Sequence, residues 1–126
     1  MPSSDCIFCQ IIKKEIPGTI RFENDNWLAF DDNHKTAPEH VLLVPKQHVD
    51  SLEDIDITDT NFHGELLQTA RTVAKEIGVS NNYKIFLNTG KGVQAVHHLH
   101  VHIMGGWGKE KNILGLDKDS VDLVNS

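Results

Sequence analysis

Hydrophobic positions along the chain follow two different periods in turn. Residues 6–16 (CIFCQIIKKEI) put Ile7, Ile11 and Ile12 on one side at helical spacing before Pro17-Gly18 breaks the pattern, which predicts a short N-terminal helix. The runs 19–24 (TIRFEN), 26–31 (NWLAFD) and 40–45 (HVLLVP) are rich in β-branched and aromatic residues and are separated by polar stretches, so they read as strands, the first two as a hairpin. From Thr58 to Ile77 the period changes: Phe62, Leu66, Ala70, Val73 and Ile77 recur every three or four residues, with Thr58 or Asp59 to cap the start and Gly78 to end it. The runs 83–88 (YKIFLN) and 97–104 (HHLHVHIM) are strand-like again, with Gly90 and Gly92 in the loop between them. The order helix, three strands, helix, two strands predicts an α+β fold, a mainly antiparallel sheet of about five strands with two helices packed on it. Neither a repeat nor a linker interrupts the chain, so residues 1–126 read as one domain, with a tail over 107–126 whose periodicity assigns no element.

The last strand carries the chemistry. Side chains alternate faces along a strand, so His98, His100 and His102 share one face while Leu99, Val101 and Ile103 point to the other. Successive histidines then lie roughly 6.5–7 Å apart, close enough for a phosphate and its leaving group to touch more than one imidazole. A metal site or a solvated polar face would use the same alternation. Imidazole titrates near neutrality and acts as nucleophile, acid or base, and the middle ring is best placed for attack. His100 is therefore expected to carry a transient phosphoryl or nucleotidyl group, with His98 and His102 orienting it and stabilising charge on the phosphorus oxygens. Upstream, N-T-G-K-G-V-Q is a strand-to-loop passage whose glycines let backbone N–H groups approach phosphate, with Asn88, Lys91 and Gln94 able to add hydrogen bonds.

Composition narrows the ligand. With 39% apolar and 24% charged residues the chain is ordinary for a globular protein, and its net charge of -6 argues against a sequence-independent grip on duplex nucleic acid. A phosphate-bearing ligand must be held locally. Residues 1–5 lack the basic and apolar regions of a secretory signal, and no apolar run reaches membrane-spanning length, so cytosol or nucleus is the expected compartment, without membrane attachment. In a reducing compartment Cys6 and Cys9, spaced so that both sulfurs reach one tetrahedral metal, read as half of a zinc site, as free thiols or as a redox pair; no thioredoxin-like context favours the last.

The stretch N-T-G-K-G-V-Q-A-V-H-H-L-H-V-H-I-M-G-G resembles the signature of the histidine triad (HIT) family, His-φ-His-φ-His-φ-φ with φ apolar. Cys-x-x-Cys, F-D-D and A-P-E-H-V-L-L-V-P-K-Q-H fall where that family has its counterparts, so the resemblance covers roughly residues 5–106 and is closest to the Hint branch. That branch consists of homodimeric purine nucleoside phosphoramidases, which cleave adenosine monophosphate from an amine. The resemblance implies His100 as the nucleophile at the α-phosphorus, His98 holding His100 by relay with His40 and a backbone group behind it, and His102 and Asn88 on the α-phosphate. It also implies Gln94 at the loop around the phosphate, Asp32 on the ribose hydroxyls, and Ile7, Phe8 and Phe30 lining the base pocket. AMP, GMP and their phosphoramidates are the implied ligands, with no catalytic metal or organic cofactor. For the cysteines it implies structural zinc on Cys6, Cys9, His48 and His98. Departures are Ala95 where the branch carries a hydroxyl near the leaving group, a shorter glycine loop, Asn33 in an apolar position against the base, and Gly105-Gly106-Trp107 after the triad.

Other residues are expected to be structural. His97 faces away from His98 as a packing or surface residue, His34 and His63 are solvated, Lys46 is a solvated charge, and Trp27 and Phe22 belong to the core or a dimer surface. The same triad chemistry also serves asymmetrical hydrolysis of dinucleoside polyphosphates. A nucleotide-binding scaffold with incidental turnover, or a zinc-stabilised interaction module, remains open at this point.

Overall fold

A computed structural model describes residues 5–108. Helix α1 spans Ile7–Ile12 and α2 spans Thr60–Glu76; the strands are β1 (Ile20–Glu23), β2 (Trp27–Asp31), β3 (Glu39–Pro45), β4 (Tyr83–Phe86) and β5 (Val101–Gly105). All neighbours pair antiparallel in the order β1-β2-β3-β5-β4, so β5 is inserted between β3 and β4. This is the α+β architecture that the alternation of periods predicts.

Strand alternation sorts the side chains into two cores. On one face Trp27, Ala29, Val41, Leu43, Val101 and Ile103 meet the apolar stripe of α2, made by Leu66, Ala70, Val73, Ala74 and Ile77. On the other, Leu28, Phe30, Leu42 and Val44 meet Phe8 and Ile11 of α1. Trp27 is only 1% exposed and donates its indole N–H to Glu65 at 2.9 Å, which makes it a core residue. Truncating a side chain such as Leu43 in this core costs about 2–5 kcal/mol.

Helix ends follow local rules. Asp59 caps α2 by accepting the Phe62 N–H at 2.9 Å, and Gly78, at φ 84°, ends it in a Schellman motif with Gly78 N–H on Lys75 and Val79 N–H on Ala74. Helix α1 is shorter than residues 6–16. It stops at Ile12 because Lys14 adopts φ 65°, and the same paired bonds, Lys14 N–H to Ile11 and Glu15 N–H to Gln10, close the helix before Pro17-Gly18 is reached.

The last strand is also shorter than residues 97–104. Its ladder with β3 begins at Leu43↔Val101 and includes Leu42↔His102, so only His102 of the triad lies in a regular strand. Before that point the chain bends over residues 95–98, and the Leu99 N–H is taken by the Val49 carbonyl at 2.7 Å, beyond the end of β3. The face assignment survives the bend: Leu99, Val101 and Ile103 pack into the α2 core, while Phe8 of α1 packs edge-on against His98 and His100. Among the described residues no helix is long and apolar enough to cross a membrane. The tail beyond Gly108 lies outside the described residues.

Candidate active site

A cleft of about 440 Å³ opens beside α1, floored by Phe8, Phe30 and Leu42 and reached by His100, His102, Asn88 and Asp32. That volume suits a nucleotide-sized ligand. Its walls come from the order of the sheet: β2 and β3 supply Phe30 and Leu42 of the floor, β5 and the segment before it the imidazoles, and α1 Phe8 of the floor and Ile7 of the wall. Ile7 is 48% exposed, an apolar surface on the cleft wall.

Backbone partners set the protons on the histidines. His100 Nδ1 lies 2.7 Å from the carbonyl of His98, and a carbonyl can only accept, so Nδ1 carries the proton and Nε2 keeps its lone pair. The ring of His98 is turned elsewhere: its Nε2 donates to the Pro45 carbonyl at 2.9 Å, and its Nδ1 faces the sulfurs of Cys6 and Cys9 at 3.3 and 3.5 Å. His100 is thus held by the His98 main chain and not by its imidazole. His40 does not stand behind His98 either. Its Nε2 is 3.0 Å from His102 Nδ1, and its Nδ1 accepts the Thr36 N–H at 3.1 Å. Because a backbone N–H can only donate, His40 carries its proton on Nε2 and gives it to His102, whose own proton is left on Nε2. Neighbouring rings 5.2 Å apart therefore hold opposite roles, a lone pair on His100 and a donor on His102.

Burial favours the neutral form of His98, His102 and His40. Desolvation pushes His98 and His102 down to about 4, with nearby imidazoles adding to both and only the Pro45 carbonyl and carboxylates opposing; His40 is also lowered by burial, against the pull of Asp32. Phe86 of β4 stacks on His102 at 4.4 Å with the planes 7° apart, a contact nothing in the periodicity announces. Asp32 reaches the cleft, with Oδ1 on the His34 N–H at 2.8 Å and Oδ2 3.3 Å from His40. Gln94 does not reach the cleft: it is buried, its carbonyl oxygen accepts the Gly90 N–H, and its amide donates to the Asp50 and Val96 carbonyls. It braces the glycine loop and has no capacity left for a phosphate. Ala95 and Asn33 both line the cleft. His34 and His97 are exposed, His63 is half-buried with its Nδ1 on the Asp59 carbonyl, and Lys46 is paired with Glu23 at 2.7 Å.

A second cluster adjoins the cleft. Donor atoms of Cys6, Cys9, His48 and His98 all lie within 4.8 Å of one another, with Cys9 Sγ to His48 Nδ1 at 3.3 Å. A tetrahedral zinc with two sulfur and two nitrogen ligands sets its donors roughly 3.3–3.8 Å apart, so the spacing and donor chemistry fit. Both rings present Nδ1, and their outer nitrogens are held, His48 Nε2 by Asp50 at 2.8 Å and His98 Nε2 by Pro45. Asp50, two residues after His48 in H-V-D, is a partner that the sequence reading passed over. Burial, with Cys6 adding, raises the Cys9 thiol to about 11.

The chain has relatives among known proteins. Residues 5–113 match the family model described as scavenger mRNA decapping enzyme C-terminal binding. The chain is 42% identical over 106 residues to the adenylylsulfatase HINT1 of Arabidopsis thaliana, covering 82% of this chain and 72% of that protein. It is 39% identical to a 14 kDa zinc-binding protein of Zea mays, covering 84% and 85% of the two chains. A HIT family hydrolase from Legionella pneumophila Philadelphia 1 superposes with a TM-score of 0.75 at 38% identity, over 81% of this chain and 93% of that one.

Proposed function

The chain belongs to the histidine triad family, in its Hint-like branch, whose members include nucleotide-binding hydrolases, and from that premise we propose that it hydrolyses purine nucleoside 5′-phosphoramidates. The observation that carries this reading is the pair of opposite proton assignments on His100 and His102 at one cleft. Nε2 of His100 attacks the α-phosphorus while the P–N bond to the amine breaks, its electron pair leaving with nitrogen, which takes a proton from water. The imidazole becomes cationic as it is nucleotidylated, and the His98 carbonyl on Nδ1–H stabilises that charge. His102 Nε2–H and the Asn88 amide serve the phosphorus oxygens, Asp32 the ribose hydroxyls, and Ile7, Phe8 and Phe30 the purine. Water then attacks phosphorus, frees His100 and releases AMP or GMP. His40 acts through His102, and Gln94 acts through the loop.

The zinc reading belongs to the same proposal. Cys6, Cys9, His48 and His98 would hold the ion, which supplies a cross-link between α1, the segment after β3 and the triad, and no catalytic step. A homodimer fits the edge position of β4, whose outer backbone row faces away from β5, and the compartment is cytosol or nucleus.

One observation favours a second reading. Ala95 lines the cleft and carries no hydroxyl to protonate a departing amine. Leaving groups that depart as stable anions need no such proton, which favours mixed anhydrides, including dinucleoside polyphosphates. Release of AMP from adenosine 5′-phosphoramidate by the wild-type chain and by His100→Asn tests the proposal. Turnover reduced at least about a thousandfold in the variant is expected; a variant that retains full activity overturns the assignment of His100.

A further inference from the structure

His102 is held at one atom by His40 and along its face by Phe86. Strand β4 turns Tyr83 and Ile85 into the α2 core, which sends Phe86 to the opposite face of the sheet, the face that carries the imidazoles. The β4–β5 ladder lays Phe86 directly opposite His102, and the two rings stack with centroids 4.4 Å apart and planes 7° apart. Phe86 is 40% exposed and joins neither apolar core among the described residues, so its packing is directed at His102. Resting on the nucleotide reading above, we propose that Phe86 is a positioning residue for the transfer step: its flat face fixes the plane of the His102 ring and so aims the Nε2–H at the phosphoryl oxygens.

The need for such a residue follows from how an imidazole turns. Rotation between Cβ and the ring is broad and roughly two-fold, with no staggered well that selects one plane. The bond from His40 Nε2–H to His102 Nδ1, 3.0 Å long, anchors one corner of the ring and decides which nitrogen carries the proton. It leaves the ring free to tilt about that corner. An N–H bond lies in the plane of its ring, so a tilt swings the Nε2–H off line, and hydrogen bonds weaken steeply as they bend. The other rings around His102 do not set its plane: those of His40 and His100 lie 5.2 Å away, inclined at 44° and 55°. Leu42, the partner of His102 on β3, has no flat face to offer. Phe86 also forms the last pair of the β4–β5 ladder, and Asn88, two residues further on, reaches the cleft. One strand therefore sets the direction of one phosphate donor and delivers another.

Phe86→Leu keeps apolar bulk without a flat face, and Phe86→Tyr keeps the face, so the two variants of the full chain separate stacking from packing. With adenosine 5′-phosphoramidate, Phe86→Leu is expected to lower the single-turnover rate at saturation about tenfold with KM within about twofold, a fraction of the loss from deleting a whole transition-state donor. Phe86→Tyr is expected to restore the rate to within about twofold of the wild type. Added to His102→Gln, Phe86→Leu is expected to cost less than about twofold, because the ring through which Phe86 acts is gone. A general loosening of the sheet would instead slow both backgrounds alike. Carbon relaxation of the His102 ring in the ligand-free chain needs no turnover, and its order parameter is expected to be high in the wild type and Phe86→Tyr and lower in Phe86→Leu. A rate unchanged in Phe86→Leu, an equal loss in both backgrounds, or a ring as rigid in Phe86→Leu as in the wild type overturns the positioning role and leaves the nucleotide reading intact. A wild-type chain that neither hydrolyses the phosphoramidate nor binds adenosine monophosphate overturns both, even where the ring is rigid.

Discussion

Stripping the metal from the cysteine–histidine cluster should cost the fold a measurable part of its stability. Cys9 and His98 are 4% and 0% exposed, and their side-chain polar contacts are with each other, Cys6, His48 and the Pro45 carbonyl. A ligand at about a hundred times its dissociation constant adds about 2.7 kcal/mol to a native state that alone binds it. For a domain of this size each kcal/mol moves Tm by about 4 °C or more, so zinc should raise Tm by about 10 °C. The assay is thermal unfolding of the chelator-treated chain with and without added zinc, beside elemental analysis of chain purified without chelator. Cys9→Ser should unfold at one temperature whether zinc or chelator is present, which separates loss of the metal from loss of packing. Cobalt substituted for zinc should give thiolate-to-metal charge-transfer absorption that Cys9→Ser weakens. A wild-type chain that contains no zinc, and whose Tm moves by less than about 1 °C when zinc is added, refutes the reasoning and leaves the four side chains as a hydrogen-bonded polar cluster.

Two further outcomes follow from the cleft. Ala95→Ser restores a hydroxyl on the cleft wall and should raise kcat for amine leaving groups about tenfold while leaving anhydride substrates unchanged; equal effects on both would remove leaving-group protonation as the reason. His102 has a folded-state pKa of about 4 against an ordinary 6.5, so the unfolded chain takes up its proton first as pH falls. Its contribution to stability is whole above about pH 6.5 and is lost toward about pH 4, at no more than about 1 kcal/mol per pH unit for a partly exposed ring. Tm measured from about pH 7 to about pH 5 should therefore fall more steeply in the wild type than in His102→Gln, and parallel curves would count against the burial argument.

Residues that obey a local rule were legible in the sequence. The stripe from Phe62 to Ile77 with Asp59 before it and Gly78 after it defines α2, and the alternation from His98 to Ile103 sorts imidazoles from aliphatics although half of it lies outside the strand. The Cys-x-x-Cys spacing marks half of the cluster whose donor atoms, with those of His48 and His98, lie within 4.8 Å of one another. What escaped depends on contacts distant in the chain or on the main chain. Lys14 at φ 65° ends α1 where helical spacing alone would carry it on. The partner of His40 is decided by the register that lays His40 opposite Met104, which brings its ring to His102 and not to His98. Gln94 looks like a phosphate ligand in a glycine loop, and only its three bonds to main-chain atoms reveal a brace. Thr36 and Pro45 act through backbone groups, which no residue type announces.

The insertion of β5 between β3 and β4 has a consequence for how the protein is made. β1, β2 and β3 form a meander of short loops that can assemble early, while β4, among the described residues, pairs only with β5. Closing β3 onto β5 means bringing Leu43 to Val101 across most of the chain, and loop-closure entropy makes such pairings late events. The imidazoles that face the cleft from β5 and its approach arrive with that step. A nascent or partly folded chain can therefore bury hydrophobic surface, yet it has no assembled triad with which to capture a nucleotide. Nucleotide binding during refolding should report the docking of this one strand, with a time course lagging behind the formation of the β1–β3 meander.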